Sequence, residues 1–373
     1  MAEDVKPPMF PTLDSLEVAL WPGAVLVVFV ATAILVDLMI ILSTRFRMLD
    51  LPNRRSAHAL PTARGGGIAI VMLVCTAAAL TSLRWPQLAA RLLVGVVLPG
   101  LTIAILGVID DLRPLKPLLR LAIQVAVACF MTFVLGPLEA VAVPGVGAWQ
   151  LGPLAWPITV LWIVGMINAY NFMDGSDGMA ALGAVICGTF MAAVGFESRS
   201  LAAMLLAAFA AASAAGFLVF NWQPARIFMG DAGSGFLGLF FAAIPLLFNE
   251  PKETTFVAAI LCLWPYIYDT LLSVLRRIWH RQNPFQPHRE FLFHRLIRSG
   301  ASHSTAAILY GMLSALGGLA GLVIARPNTP DVVRLGCLGG LVALAIGITY
   351  VIERRCRLVG LPSAATRYSS ALH

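Results

Sequence analysis

Apolar residues run in long blocks along nearly the whole chain, and polar residues collect in short intervals between them. Such blocks match the roughly 20 apolar residues that a helix needs to cross hydrocarbon. Eleven are legible, near residues 20–42, 67–83, 92–109, 118–135, 154–170, 179–195, 201–220, 234–248, 254–275, 305–325 and 332–352. The fifth and eighth are short. A membrane barrel would instead alternate apolar and polar positions over segments of about 10 residues. The pattern predicts an all-α polytopic membrane protein. A single domain over residues 20–352 is expected, between a short extracytoplasmic tail at 1–19 and a cytoplasmic tail at 353–373.

Composition sharpens this picture. Hydrophobic residues make up 59% of the 373 and charged residues 12%, against roughly 25% charged in a soluble domain. A soluble fold and a disordered chain are both excluded. The net charge of +7 reflects membrane orientation rather than nucleic-acid binding. With the N-terminus outside, the intervals 43–66, 110–117, 171–178, 221–233 and 276–304 and the tail after 353 face the cytoplasm. Counting Arg120 with its neighbouring interval, they hold 19 of the 26 Lys and Arg residues. The first block lacks a basic leader, so it reads as a span rather than a signal peptide. The six cysteines form no CxxC pair and read as small apolar fillers.

The inner intervals place acids beside glycines, flanked by Arg and His. Asp110 and Asp111 close the third block in the run GVIDD. A carboxylate near hydrocarbon costs roughly 2.5–3.5 kcal/mol on insertion scales, and adjacent carboxylates repel unless a cation or shared proton relieves them. A metal or general-base pair is one reading, a solvated helix end the other. In NAYNFMDGSDG, Asn168, Asn171, Asp174 and Asp177 recur every three residues, which puts their oxygens on one side of a helix or tight turn. Such sets suit Mg²⁺ or a polar ligand rather than zinc. Asp231 begins an apolar block in MGDAGSG. Free amides at a helix start attract phosphate, and an acid there can hold a bridging Mg²⁺; a simple helix cap is the alternative.

Basic groups flank these acids in sequence. DLPNRRSAHALPTARGGG supplies Arg54, Arg55, His58 and Arg64, and RRIWHRQNPFQPHREFLFHRL supplies Arg276, Arg277, His288, Arg289, His294 and Arg295. Arginine matches phosphate oxygens bidentately, although membrane anchoring or a solvated basic face would account for some of them. Acids for Mg²⁺ and bases for phosphate on one side of a membrane describe a phosphoryl-transfer site.

Five stretches, in order, carry a family resemblance: DLPNRRSAHALPTARGGG, GVIDD, NAYNFMDGSDG, NWQPARIFMGDAGSG and HREFLFHRL. Together they resemble the polyprenyl-phosphate N-acetylhexosamine-1-phosphate transferases, over roughly residues 20–350. The resemblance implies transfer of a sugar 1-phosphate from a UDP-N-acetylhexosamine to undecaprenyl phosphate at the cytoplasmic face of the bacterial inner membrane. UMP leaves, and Mg²⁺ is required, with Mn²⁺ able to substitute. It further implies that Asp231 is the metal ligand, with Asp110 beside it. Asp110, Asp111, Asp174, Arg120 and His294 are then catalytic. Asn171, Phe172, Gly175, Asp177, Asn221, His58, Arg64, His288, Arg289 and Arg295 are expected around the substrates. No nucleic-acid partner is expected, and a homodimer is a possible assembly.

This chain departs from the family pattern in two places. Arg120 precedes Gln124 where the family usually has Lys, and Phe291 and Phe293 stand where close relatives carry further histidines. The second departure fits the subgroup that starts O-antigen or other surface polysaccharides, with GlcNAc, QuiNAc or FucNAc as the sugar. A transporter or flippase would instead place its acids near the membrane midplane on broken helices, and an inactive scaffold would have no need to retain all five acids. Asp37 and Asp269 read as structural, Asp269 by orienting Arg276 or Arg277. Trp21, Trp85, Trp222 and Tyr350 read as interface anchors.

Overall fold

The apolar blocks fold as helices because each is an uninterrupted run in which every backbone polar group finds its partner within the segment. The computed structural model describes residues 15–45, 49–50, 61–248, 252–283, 290–326 and 328–361. In chain order the helices are α1 (Ser15–Arg45), α2 (Gly67–Arg84), α3 (Leu98–Leu112), α4 (Pro117–Leu135), α5 (Ala155–Met173), α6 (Met179–Glu197) and α7 (Leu201–Asn221). There follow α8 (Gly230–Ala243), α9 (Lys252–Leu261), α10 (Trp264–Trp279), α11 (Leu292–Arg298), α12 (His303–Ala325) and α13 (Asp331–Leu358). A π-helical stretch, Ala90–Val97, leads into α3.

Among the described residues, ten helical stretches are long and apolar enough to cross a membrane, and one bent pair makes an eleventh. That pair is the ninth apolar block. It breaks between Leu261 and Trp264, and its halves diverge by 74°. Pro265, second in α10, suits a helix start and no helix interior. Two features lie outside the sequence expectation. The outer interval near 136–153 forms an antiparallel hairpin, Ala140–Val143 against Gly147–Gln150. The last inner interval contains the short helix α11.

Burial is uneven. The α8 span is 94% buried, whereas α1 and α13 are 17% and 11% buried and present their apolar surfaces outward. Helix α8 is therefore the central post, with α2, α3 and α5 packed around it. Trp85 is not an interface anchor: it is buried and stacks on Trp21, centroids 5.6 Å apart. The carboxyl ends of α3, α5 and α7 and the amino ends of α4, α6, α8 and α12 meet at one end of the bundle, where the site lies.

Candidate active site

The amino end of α8 organises the site. Gly230 enters the helix with φ +77°, a left-handed backbone that only glycine adopts without strain. Gly107 on α3 allows the closest approach: a Cβ there would lie 2.4 Å from the Ala232 nitrogen and 2.5 Å from the Asp231 carbonyl carbon. The glycine of GVIDD thus seats the last turn of α3 directly on the first turn of α8.

Asp110 and Asp111 consequently face different partners. Asp110 accepts from the Leu115 amide at 2.7 Å and forms a short ion pair with Arg120. Arg120 Nη1 also lies 3.3 Å from Asp231 Oδ2, so one guanidinium bridges two carboxylates. Asp111 turns toward the first loop, pairing with Arg64 at 2.8 Å and accepting from the Asp231 amide at 3.1 Å. Arg64 is delivered by backbone zipping. Ala63 bridges Ile227, and the amides of Gly66 and Gly67 donate to the carbonyls of Phe228 and Met229 at 2.9 and 3.0 Å.

Asp174 follows α5 and accepts from the Gly230 amide. It is half-buried and makes no ion pair among the described residues. Burial, and then the Asp231 and Asp111 carboxylates, raise its proton affinity well above the usual carboxylate range. The sequence led us to expect free amides at the start of α8 for a phosphate. Two of them, those of Gly230 and Asp231, are instead satisfied by Asp174 and Asp111.

Asn171 donates to Ser234 Oγ at 2.9 Å and also bonds the Asp231 carboxylate, tying α5 to α8. Deeper, Asn168 donates to Gln124 at 2.8 Å. Asp110, Arg120, Gln124, Asn171 and Asp231 line a cleft of about 270 Å³, including its open mouth, that continues along apolar Ile103, Leu106 and Ile167. Among the described residues, these four carboxylates (Asp110, Asp111, Asp174, Asp231) are accompanied by two guanidinium groups (Arg64, Arg120).

The comparisons with known proteins fall on the same residues. The model of glycosyl transferase family 4 matches residues 93–249, which include all four carboxylates. A Bacillus subtilis protein named a probable undecaprenyl-phosphate N-acetylglucosaminyl 1-phosphate transferase is 32% identical over 279 residues. The match covers 74% of this chain and 77% of that protein. The chain belongs to the polyprenyl-phosphate N-acetylhexosamine-1-phosphate transferase family. Two further relatives share 28% and 29% identity. The Escherichia coli K12 undecaprenyl-phosphate alpha-N-acetylglucosaminyl 1-phosphate transferase is 28% identical over 284 residues, 72% of this chain and 74% of its own. A Mycolicibacterium smegmatis decaprenyl-phosphate N-acetylglucosaminephosphotransferase is 29% identical over 298 residues, 72% of this chain and 73% of its own.

The remaining family positions are distributed around this centre. His294 stacks on Phe293 with centroids 4.0 Å apart, and both rings abut Gly175. Phe172 lies at the rim against Phe291, 5.5 Å between centroids. Asn221 is buried and joins segments: it accepts from the Gly178 amide at 3.0 Å and donates to the Ile227 carbonyl at 2.9 Å. Asp177 accepts from the Ala225 amide at 3.2 Å, and its own amide donates to His303 Nδ1 at 3.2 Å. Arg295 is buried and pairs with Glu353 of α13 at 2.7 Å. His58, His288 and Arg289 lie outside the described residues, as do Arg54 and Arg55.

Two contributors escaped the sequence reading. His303 and Glu353 carry no local motif. Asp269 was expected to orient Arg276 or Arg277, but these pair with Glu353 at 2.9 Å and Glu290 at 3.4 Å. Asp37, also read as structural, lies 3.7 Å from Arg226 in the loop before α8.

Proposed function

We propose that this protein transfers N-acetylhexosamine 1-phosphate from a UDP-sugar to undecaprenyl phosphate on the cytoplasmic face of the inner membrane, releasing UMP. The sugar is GlcNAc or a 6-deoxy relative such as QuiNAc or FucNAc, and the product starts O-antigen or another surface polysaccharide. The observation that carries this reading is the cluster of four carboxylates with Arg64 and Arg120 at one end of a membrane bundle in a family of such transferases. The relatives' names, which specify polyprenyl phosphates and N-acetylglucosamine, support it. The placement of these acids at helix ends favours a surface reaction over a transport relay, which would use the midplane.

The donor chemistry fits Mg²⁺. The available ligands are hard oxygens, and among the described residues four carboxylates stand beside two guanidinium groups. No three His, Cys, Asp or Glu side chains among the described residues form a closed metal cage. Mg²⁺ commonly takes one or two carboxylates and completes its shell with water and substrate phosphate. Asp231 and Asp110 are the residues that would hold it, and when bound it supplies charge neutralisation for the diphosphate.

The chain's own groups divide the rest of the task. Arg120 and Arg64 face the anionic substrates and hold their partner carboxylates in place. The lipid phosphate oxygen forms a bond to the β-phosphorus of the donor while the bond to the UMP oxygen breaks. Asp174 is held by the Gly230 amide and makes no ion pair among the described residues, and it is the carboxylate assigned to take a proton from the lipid phosphate.

The test uses purified protein in detergent with undecaprenyl phosphate and Mg²⁺, offered a panel of UDP-N-acetylhexosamines including 6-deoxy forms. The expected result is UMP release with one donor and a lipid product heavier by that sugar phosphate. Folded protein that releases UMP with none of them would overturn the proposal.

A further inference from the structure

Asp269 is fully buried within α10, and no cation pairs with it among the described residues. Its carboxylate instead accepts four hydrogen bonds from neutral donors. They come from the Leu292 amide at 2.7 Å, the Phe293 amide at 3.3 Å, the Tyr310 hydroxyl at 2.6 Å and the Ser273 hydroxyl at 3.4 Å. The first two are the opening amides of α11, which the helix cannot satisfy itself. A helix of seven residues has little stability of its own, so the groups that grip its ends decide where it lies. The break in the ninth span sets α10 at 74° to α9, and from α10 Asp269 reaches the start of α11.

The gripped turn carries Phe293 and His294. A methyl group built on Gly175 would lie 3.0 Å from Phe293 Cζ and 3.2 Å from His294 Nε2. Gly175 adjoins Asp174. A continuous set of contacts therefore runs from Asp269, through two backbone amides, to the two rings that pack on Gly175, the residue after Asp174. Tyr310, from α12, completes the grip.

We infer that Asp269 is a positioning residue for the transfer reaction: through the first turn of α11 it holds His294 and Phe293 against Gly175, beside the reacting carboxylates. This rests on the transferase reading above. A carboxylate suits the task because it accepts from both amides and both hydroxyls at once. Asparagine has one acceptor oxygen, and its amide nitrogen would confront a backbone N–H.

The test takes full-length protein in detergent carrying Asp269→Asn or Tyr310→Phe, each alone and combined with His294→Ala. Turnover is followed on UDP-sugar and undecaprenyl phosphate with enough enzyme to time slow variants. Hydrogen exchange is followed in the peptide spanning 290–298. Asp269→Asn is expected to speed exchange in that peptide while leaving α3 and α8 unchanged. It should lower kcat about tenfold with KM for the donor within about twofold. With His294→Ala already present, it should change kcat less than about twofold, because residues acting through one another are not additive. An equal loss in both backgrounds, or an unchanged kcat, would overturn the positioning role. If Asp269→Asn does not fold, Tyr310→Phe carries the same test with an expected loss of about threefold. Should the wild type turn over no donor, the transferase reading fails by itself. Exchange then decides the clamp alone, and unchanged protection at 290–298 would overturn it.

Discussion

The carboxylate cluster around Asp231 and the single carboxylate of Asp269 solve the same physical problem in opposite ways. Both are acids in a membrane protein, where an unsettled charge is expensive. Asp269 is settled internally, by two amides and two hydroxyls. The cluster is settled by ion pairing instead: among the described residues its four carboxylates have two guanidinium partners, and Arg120 is shared between Asp110 and Asp231. The difference separates an acid satisfied by neutral donors from acids held by arginines at the end of the bundle, where the proposed reaction places its substrates. Acidity and burial alone would not have distinguished them.

The largest effect should come from Asp231→Asn. It removes one charge from the cluster and should lower kcat about 10³-fold, or about 4 kcal/mol. The melting temperature should hold or rise, since a repulsion is lost. Near wild-type UMP release from this variant would break the comparison. Gly107→Ala comes next, with a loss of about 10²-fold. Its new Cβ meets the α8 backbone rather than a flexible side chain, so α3 and α8 must part, at a cost of about 1–3 kcal/mol in stability. Turnover and a melting curve together check it.

Arg120 refines the picture. Arg120→Lys keeps the charge but loses the fork that reaches two carboxylates. It should retain turnover within about tenfold of wild type, while Arg120→Ala should lose about 10²-fold. Equal losses would mean that geometry, rather than neutralisation, dominates at this position. The smallest effect on the reaction should follow Arg295→Ala. Its partner Glu353 belongs to α13, so the variant should melt several degrees lower with the donor KM unchanged. A KM raised severalfold at full stability would return Arg295 to the substrate.

Much of this was readable from one-dimensional pattern. The spans were legible because hydrocarbon demands a fixed length of apolar helix, and block boundaries fell within a few residues of the helix ends at most positions. Asp110, Asp174 and Asp231 stood out because acids beside glycines at the ends of apolar blocks are costly unless used. The bend between α9 and α10 was not legible, because both halves are apolar and together have the length of one span. Nor was the partition of the GVIDD pair, since adjacent residues on a helix point about 100° apart and only the neighbouring elements determine what each meets.

The sequence by itself determined a helical membrane protein of about eleven spans with acids and arginines gathered at one end, because those properties follow from local composition and periodicity. The tertiary structure decided which of these residues face one another. It turned Asp111 to Arg64, set Arg120 between Asp110 and Asp231, sent Arg295 to Glu353 and Asp269 to the start of α11. Such pairings join residues from 10 to more than 100 positions apart. They depend on glycine contacts and helix directions that no stretch of sequence contains alone.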